Sequence, residues 1–128
     1  MTYSVAIAGA SGYVGGELMR LVAQHPELEL RTVTANSSAG EKVFKAHPHL
    51  QQYSELEFSE TSAATLSVHD VVFLALPHAK SAEVADYLSP DALVIDLNLR
   101  EGSGLGLINA VIRPVLLLLT LLIKGDWV

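Results

Sequence analysis

A glycine-rich stretch near the start of the chain constrains the fold more than any other feature. Residues 5–8 are small or β-branched, and they lead directly into Gly9, Gly12 and Gly15. An amphipathic segment begins immediately afterwards, so the pattern predicts a strand, a tight turn and a helix. We expect Gly9 to let the chain leave the strand sharply, Gly12 to expose bare backbone to a phosphate, and Gly15 to let the helix pack closely on the sheet.

The predicted turn has the properties of an anion-binding site. The free N–H groups of the first helical turn and the positive end of the helix dipole favour a bound pyrophosphate. Ser11 adds a hydroxyl donor at the same turn. The spacing, Gly-x-x-Gly-x-x-Gly, differs from the commonest dinucleotide fingerprint, Gly-x-Gly-x-x-Gly. The flanking strand and helix nevertheless favour cofactor binding over a glycine turn that binds nothing.

The rest of the chain to residue 97 predicts alternating strands and helices. Apolar residues recur at helical spacing after the turn, at Val14, Leu18, Leu21 and Val22. This helix is predicted to end at His25-Pro26, because a residue before proline avoids helical geometry. Strands are predicted at residues 28–33, 55–58, 70–76 and 92–96, the last two buried, with helices at 62–68 and 81–88. Together with the first strand, this order predicts one α/β domain with a Rossmann-like, doubly wound and mostly parallel sheet.

The loop after the second predicted strand bears on the choice of dinucleotide. A site for an unmodified ribose usually has an Asp or Glu there, about 20 residues beyond the glycines. Residues 34–40 contain no acid. Ser37 and Ser38 offer hydroxyl donors instead, and Lys42 or Lys45 adds positive charge if the loop folds back. We interpret this composition as favouring the 2′-phosphate of NADP over an ordinary polar loop.

The apolar run at residues 70–76 ends abruptly at Pro77-His78. Ligands of open α/β sheets lie beyond the carboxyl ends of the strands, so Leu76, Pro77 and His78 are predicted to lie close to the glycine turn. We interpret His78 as a loop residue beside the cofactor and not as a general base, because no partner that would orient it is identifiable.

Composition excludes several classes of function. The net charge of −6, without a cluster of Lys or Arg, argues against binding to nucleic acid. The chain has no cysteine, which excludes disulfides, zinc–thiolate sites and a thiolate nucleophile. The segment His47-Pro48-His49 is a poor metal site and fits a structural or substrate-side loop better. Because the beginning of the chain lacks a basic region and a long apolar region, the expected location is the cytoplasm.

Five stretches, in order, closely resemble the amino-terminal domain of N-acetyl-gamma-glutamyl-phosphate reductase, with aspartate-semialdehyde dehydrogenase as the next-best match. They are residues 8–18, 25–26, 34–40, 47–50 and 69–78. The resemblance covers residues 1–97 and implies NADP-dependent reduction of an acyl phosphate in arginine biosynthesis. In that reaction a cysteine thiolate displaces phosphate, and hydride then reduces the thioester.

The resemblance also implies roles for individual residues. By that likeness the pyrophosphate is held by Gly9, Ser11, Gly12, Tyr13, Val14 and Gly15. Ser37 and Ser38 lie towards the 2′-phosphate, and Leu76, Pro77 and His78 border the rest of the cofactor. No catalytic residue and no metal ligand is assigned. An acyl-phosphate substrate is expected only if another chain supplies the catalytic domain that the family has and this sequence does not match.

The chain departs from the family pattern after residue 97. The family continues with an acid-Phe-Arg-Leu segment and a catalytic domain that contains the cysteine, whereas residues 98–128 match neither. Residues 115–123 are wholly apolar but much shorter than the roughly 20 residues that span a bilayer, so a membrane anchor is not favoured. We interpret residues 98–128 as the divergent tail of a truncated or frame-shifted product. Other possibilities stay open: the chain could be a noncatalytic cofactor-binding module, it could pair with a full-length subunit, or it could form a homo-oligomer.

Overall fold

The sheet in the computed structural model, which describes residues 2–76, 78–88 and 90–97, has four strands. They are β1 (Tyr3–Ala8), β2 (Leu28–Thr34), β3 (Val71–Leu74) and β4 (Leu93–Asp96). All neighbouring pairs are parallel, and the strand order is β2-β1-β3-β4. The chain therefore places β2 on one side of β1 and then crosses to the other side to add β3 and β4. A ligand crevice is expected at this reversal, beside the carboxyl ends of β1 and β3.

Helices cover both faces of this sheet. They are α1 (Tyr13–Ala23), α2 (Val43–Ala46), α3 (Ala63–Leu66) and α4 (His78–Ala85), with a short 3-10 turn at Gln51–Tyr53. Alternate residues of β1 enter two separate cores, because neighbouring side chains of a strand point to opposite faces. Val5 and Ile7 belong to the core that contains α1, whereas Ala6 and Ala8 belong to the one that contains Leu66. This two-sided burial confirms the predicted doubly wound α/β fold.

The first βαβ unit agrees closely with its sequence prediction. Helix α1 ends at Ala23, just before His25-Pro26, and its apolar stripe is buried against the sheet. Strand β2 then pairs in parallel with β1, with Ile7 opposite Val33. The predicted helix at residues 62–68 is the shorter α3, which Ser62 caps by accepting a hydrogen bond from the Thr65 N–H at 3.3 Å.

One predicted strand is absent, and another forms but is less buried than predicted. Residues 55–58 form no strand; Glu57 makes only an isolated antiparallel bridge with Lys42. The alternation of polar and apolar residues at 55–58 buries Phe58. The segment opposite them is not a strand, so the isolated bridge is not extended into a ladder of hydrogen bonds. Strand β4 forms near its predicted position, but it is not buried, since Leu93 is 44% exposed. The reason is that β4 lies at the edge of the described sheet, where only β3 pairs with it.

Some predictions fall on residues outside the described ranges. These are Pro77 and the tail at residues 98–128, which includes the apolar run at 115–123. Within the described ranges, no helix is both long enough and apolar enough to cross a membrane. The domain boundary at residue 97 stays a prediction.

Candidate functional site

The glycine turn between β1 and α1 is fixed to both neighbouring strands. Gly9 has φ +79°, a conformation that L side chains rarely adopt. A Cβ atom on Gly9 would overlap the carbonyl oxygen of Ala75 and lie 2.9 Å from Leu76 Cδ2. The N–H groups of Gly9 and Ala10 both donate to the carbonyl of Thr34, at 3.0 and 2.9 Å. Gly9 therefore provides the sharp exit from β1 that the sequence predicted.

Gly12 leaves open space at the start of α1. It is the N-cap residue, it is exposed, and a Cβ atom on it would meet no atom within 4 Å among the described residues beyond its immediate chain neighbours. The hydrogen bond from the Gly16 N–H to the Gly12 carbonyl, 3.0 Å long, lies at the very start of the helix. The N–H groups of the three residues between them have no helical carbonyl to bind. Because the first turn contains no acidic residue, nothing there repels a phosphate.

Gly15 permits close packing, but against a different surface from the one predicted. A Cβ atom on Gly15 would lie 2.6 Å from Ala10 Cα and 2.8 Å from the Gly9 carbonyl oxygen. The helix therefore approaches the turn itself more closely than a side chain would allow. The first two residues of the helix differ in exposure, since Tyr13 is 59% exposed and Val14 is buried.

The loop after β2 carries the two serines, but not the lysine charge that the sequence assigned to it. Ser37 is exposed and Ser38 is half-buried, in the turn that follows Asn36. Lys42 Nζ instead lies 3.5 Å from a carboxylate oxygen of Glu55 and 3.5 Å from one of Glu57. Lys45 Nζ donates to Glu41 Oε1 at 2.8 Å, and this hydrogen bond raises the pKa of Lys45.

A cavity of about 330 Å³ adjoins this loop on the α4 side of the sheet. It is lined by Asn36, Thr61, Lys80, Glu83, Val84 and Tyr87. Lys80 Nζ lies 3.5 Å from Glu83 Oε2, and both side chains are largely exposed, so this ion pair is weak. Burial and then the charge of Glu83 raise the pKa of Tyr87. The cavity thus combines an aromatic ring, an ammonium group, an amide and the carboxylate of Glu83.

The sequence analysis missed Lys80 and Tyr87. A signal was available, because α4 starts directly beyond the carboxyl end of β3, where ligands of such sheets lie. Of the three residues predicted at that end, Leu76 lies beside Gly9, and its carbonyl accepts a hydrogen bond from Ser81 Oγ at 3.3 Å. His78 is the first residue of α4. Pro77 lies outside the described residues, and the roles of all three towards a cofactor stay predictions.

His47 is a third residue that the sequence did not connect with the site, and it contacts the glycine turn. The residue is 6% exposed, and Nε2 lies 2.7 Å from the carbonyl oxygen of Ala10. Sequence analysis predicted only a structural or substrate-side loop at this position. Among the described residues, no three His, Asp or Glu side chains gather to hold a metal ion.

Comparison with known proteins identifies the family. Residues 4–100 match the family model described as semialdehyde dehydrogenase, NAD binding domain. N-acetyl-gamma-glutamyl-phosphate reductase from Leifsonia xyli is 55% identical over 96 residues, which are 75% of this chain and 28% of that protein. The reductase from Acidothermus cellulolyticus is 55% identical over 93 residues, with 73% and 27% covered. The chain therefore spans under a third of the length of these curated relatives.

Solved structures agree with this assignment. Aspartate semialdehyde dehydrogenase with NADP from Candida albicans has a TM-score of 0.64 at 25% identity, covering 75% of this chain and 29% of that one. A semialdehyde dehydrogenase NAD-binding protein from Cupriavidus necator, in complex with calcium and NAD, has a TM-score of 0.55 at 27% identity, covering 75% and 33%. The resemblance found in the sequence is confirmed over the same part of the chain. The chain belongs to the family of NAD-binding domains of semialdehyde dehydrogenases.

Proposed function

We propose that this chain binds NADP at the glycine turn and is the cofactor-binding part of an N-acetyl-gamma-glutamyl-phosphate reductase. The observation that carries the proposal is the open, acid-free start of α1 at Gly12, next to the strand ends where the sheet reverses. A diphosphate fits there because it needs N–H donors, positive potential and room for its oxygens. The relatives named for this reaction support the choice of reductase.

The chain's own residues divide between two parts of the cofactor. The first-turn N–H groups and the hydroxyl of Ser11 would bind the pyrophosphate, which bridges the two nucleotides. The cavity beside Asn36 would take the adenosine, with the ring of Tyr87 and the side chain of Val84 offering apolar contact. Bound NADPH supplies a hydride, and the role of this chain is to bind and orient the cofactor.

The preference for NADP over NAD is supported by the residues near the cavity. Residues 34–40 carry no carboxylate that would bind the two hydroxyls of an unmodified ribose. Ser37 and Ser38 offer donors, and Lys80 is the lysine that lines the cavity together with Asn36. Lys80 is paired with Glu83, as Lys42 and Lys45 are paired with other glutamates, so its position at the cavity is what distinguishes it. Because the pair with Glu83 is exposed and weak, we propose that Lys80 supplies the positive charge for the 2′-phosphate.

We expect the full chain to bind NADPH about tenfold more tightly than NADH, as one charge-assisted phosphate contact typically provides. Lys80→Gln should remove most of this preference by weakening NADPH binding alone, because NADH has no 2′-phosphate. Lys45→Gln is the matched control, since that lysine is exposed but paired with Glu41. Fluorescence titration of both cofactors against the three proteins measures the difference. Equal affinities of the unmodified chain for NADPH and NADH would contradict the NADP proposal.

Catalysis by the chain alone is not expected. The family resemblance implies a cysteine nucleophile, and this chain contains none. We predict no reduction of N-acetyl-gamma-glutamyl phosphate, and no phosphate-dependent reverse reaction, above the rate without protein. The glycine turn equally supports a second candidate, a noncatalytic NADP-binding module, and the missing thiol separates the two because activity would have to come from another chain. A rate that co-purifies with the chain and disappears in Gly12→Val would contradict this prediction. The cytoplasmic location and self-association stay predictions.

A further inference from the structure

His47 follows α2, and its buried side chain contacts the glycine turn at Ala10. His47 is the C-cap residue of α2, and its backbone N–H donates to the Val43 carbonyl at 2.8 Å. Its ring meets the ring of Phe58 edge-on, with centroids 6.5 Å apart and planes at 70°. Phe58 is only 2% exposed. The imidazole is therefore held in one orientation by buried neighbours.

The contact between this ring and the turn is a hydrogen bond of known direction. His47 Nε2 lies 2.7 Å from the carbonyl oxygen of Ala10, and a carbonyl can only accept. Nε2 must therefore carry the proton and donate. Because the residues are 37 positions apart, the bond joins the α2 region to the turn without any local chain constraint.

The bond has a consequence for the next residue. In a trans peptide, the C=O of one residue and the N–H of the following residue point in opposite directions. With the Ala10 carbonyl directed inward to His47, the Ser11 N–H is directed away from the buried ring. His47 thus sets the direction of a donor at the candidate pyrophosphate site.

Gly16 shows how closely the ring is fitted. A Cβ atom on Gly16 would lie 2.6 Å from Nδ1 and 3.2 Å from Nε2 of His47. Because the His47 ring is held by Ala10 and Phe58, a Cβ atom this close would force the ring or the helix to move. The fourth glycine of the turn region is therefore explained by His47 and not by the cofactor itself.

We propose that His47 is a positioning residue for the dinucleotide, which acts by holding the Ala10–Ser11 peptide with its N–H facing the pyrophosphate. The inference rests on the proposed function, since it requires the cofactor to bind at the glycine turn. On this proposal His47 touches no part of the cofactor, yet it determines the orientation of a backbone donor to the pyrophosphate.

The test compares two ligands on the full chain. NADPH carries the pyrophosphate, whereas adenosine 2′-monophosphate carries only the nucleoside and the 2′-phosphate. We expect His47→Leu to weaken NADPH binding by about tenfold or more, because a charge-assisted hydrogen bond is misdirected, and to leave binding of the monophosphate within about twofold. His47→Gln, which restores an amide N–H, should recover most of the NADPH affinity. His69→Leu is the matched control, because the His69 Nε2 also contacts a backbone carbonyl, that of Thr65 at 3.0 Å, so that variant should leave the affinity for both ligands unchanged. His49 is unsuitable as a control, since its ring meets the His47 ring edge-on with centroids 6.0 Å apart.

Gly16→Ala provides a second variant if His47→Leu fails to fold. Its added Cβ displaces the ring without removing it, so the same selective loss of NADPH binding is expected. Unchanged NADPH affinity in folded His47→Leu or Gly16→Ala would overturn the inference and leave the proposed function standing. Equal loss of both ligands would also overturn it, by showing a general structural role. If the unmodified chain binds neither ligand, the proposed function fails and the inference with it.

Discussion

Gly12→Val is expected to abolish cofactor binding in a protein that remains folded. Apart from its chain neighbours, no atom in the described part of the chain lies within 4 Å of a Cβ at this position, and the backbone angles of φ −81° and ψ 176° suit any residue. The valine side chain would occupy the space in front of the first helical turn, which a pyrophosphate needs. Loss of two charge-assisted hydrogen bonds would weaken NADPH binding by about a hundredfold or more.

The fold should lose little in this variant. Valine caps a helix less well than glycine, so the free energy of unfolding should fall by only about 1 kcal/mol. Circular dichroism and thermal unfolding, run beside an NADPH fluorescence titration, separate the two effects. Gly12→Ala is the graded control, because its methyl group fills less of the same space and should weaken binding less. A folded Gly12→Val that binds NADPH normally would show that the turn has only a structural function.

Gly9→Ala is expected to have the opposite profile, with the main loss in stability. An alanine at φ +79° costs roughly 1–2 kcal/mol of backbone strain. Its Cβ would also overlap the Ala75 carbonyl, and relieving such crowding typically costs about 1–3 kcal/mol. Together they lower the free energy of unfolding by about 2–5 kcal/mol, a large part of the total for a small domain.

Gly40→Ala is a matched control for this effect. Gly40 has a similar φ of +89°, but a Cβ atom there would meet nothing within 4 Å in the described ranges, its chain neighbours aside. It should therefore show the strain without the crowding, a loss of about 1–2 kcal/mol. Urea or thermal unfolding of both variants measures the difference. Equal destabilisation would mean that Ala75 and its neighbours yield easily, and that close packing of the turn against β3 contributes little.

The parts of the fold that sequence predicted well are those set by local patterns. The strand, glycine turn and helix at the start of the chain depend on residues a few positions apart, and so does the end of α1 before His25-Pro26. The burial of β3 also follows locally, because its apolar run needs cover on both faces. These features, together with the parallel order they imply, are sufficient to predict a doubly wound sheet.

The features that were missed depend on contacts between distant segments. His47 meets the turn across 37 residues, and no spacing within the loop reveals that contact. The ion pairs of Lys42 with Glu55 and Glu57 likewise join segments that are distant in the sequence, so the position of this lysine could not be read from its own loop. The exposure of β4 follows from its place in the strand order, which composition does not determine.

The most direct test of the central claim is an amide NMR titration of the full 128-residue chain with NADP. The account predicts saturable shifts at Ser11, Gly12 and the first turn of α1, together with shifts at Ser37 and near Lys80. Residues at the opposite, amino ends of the strands, such as Glu29 and Asp70, should not respond. Absence of binding, or saturable shifts that leave the glycine turn unaffected, would contradict the claim that this turn is the cofactor site.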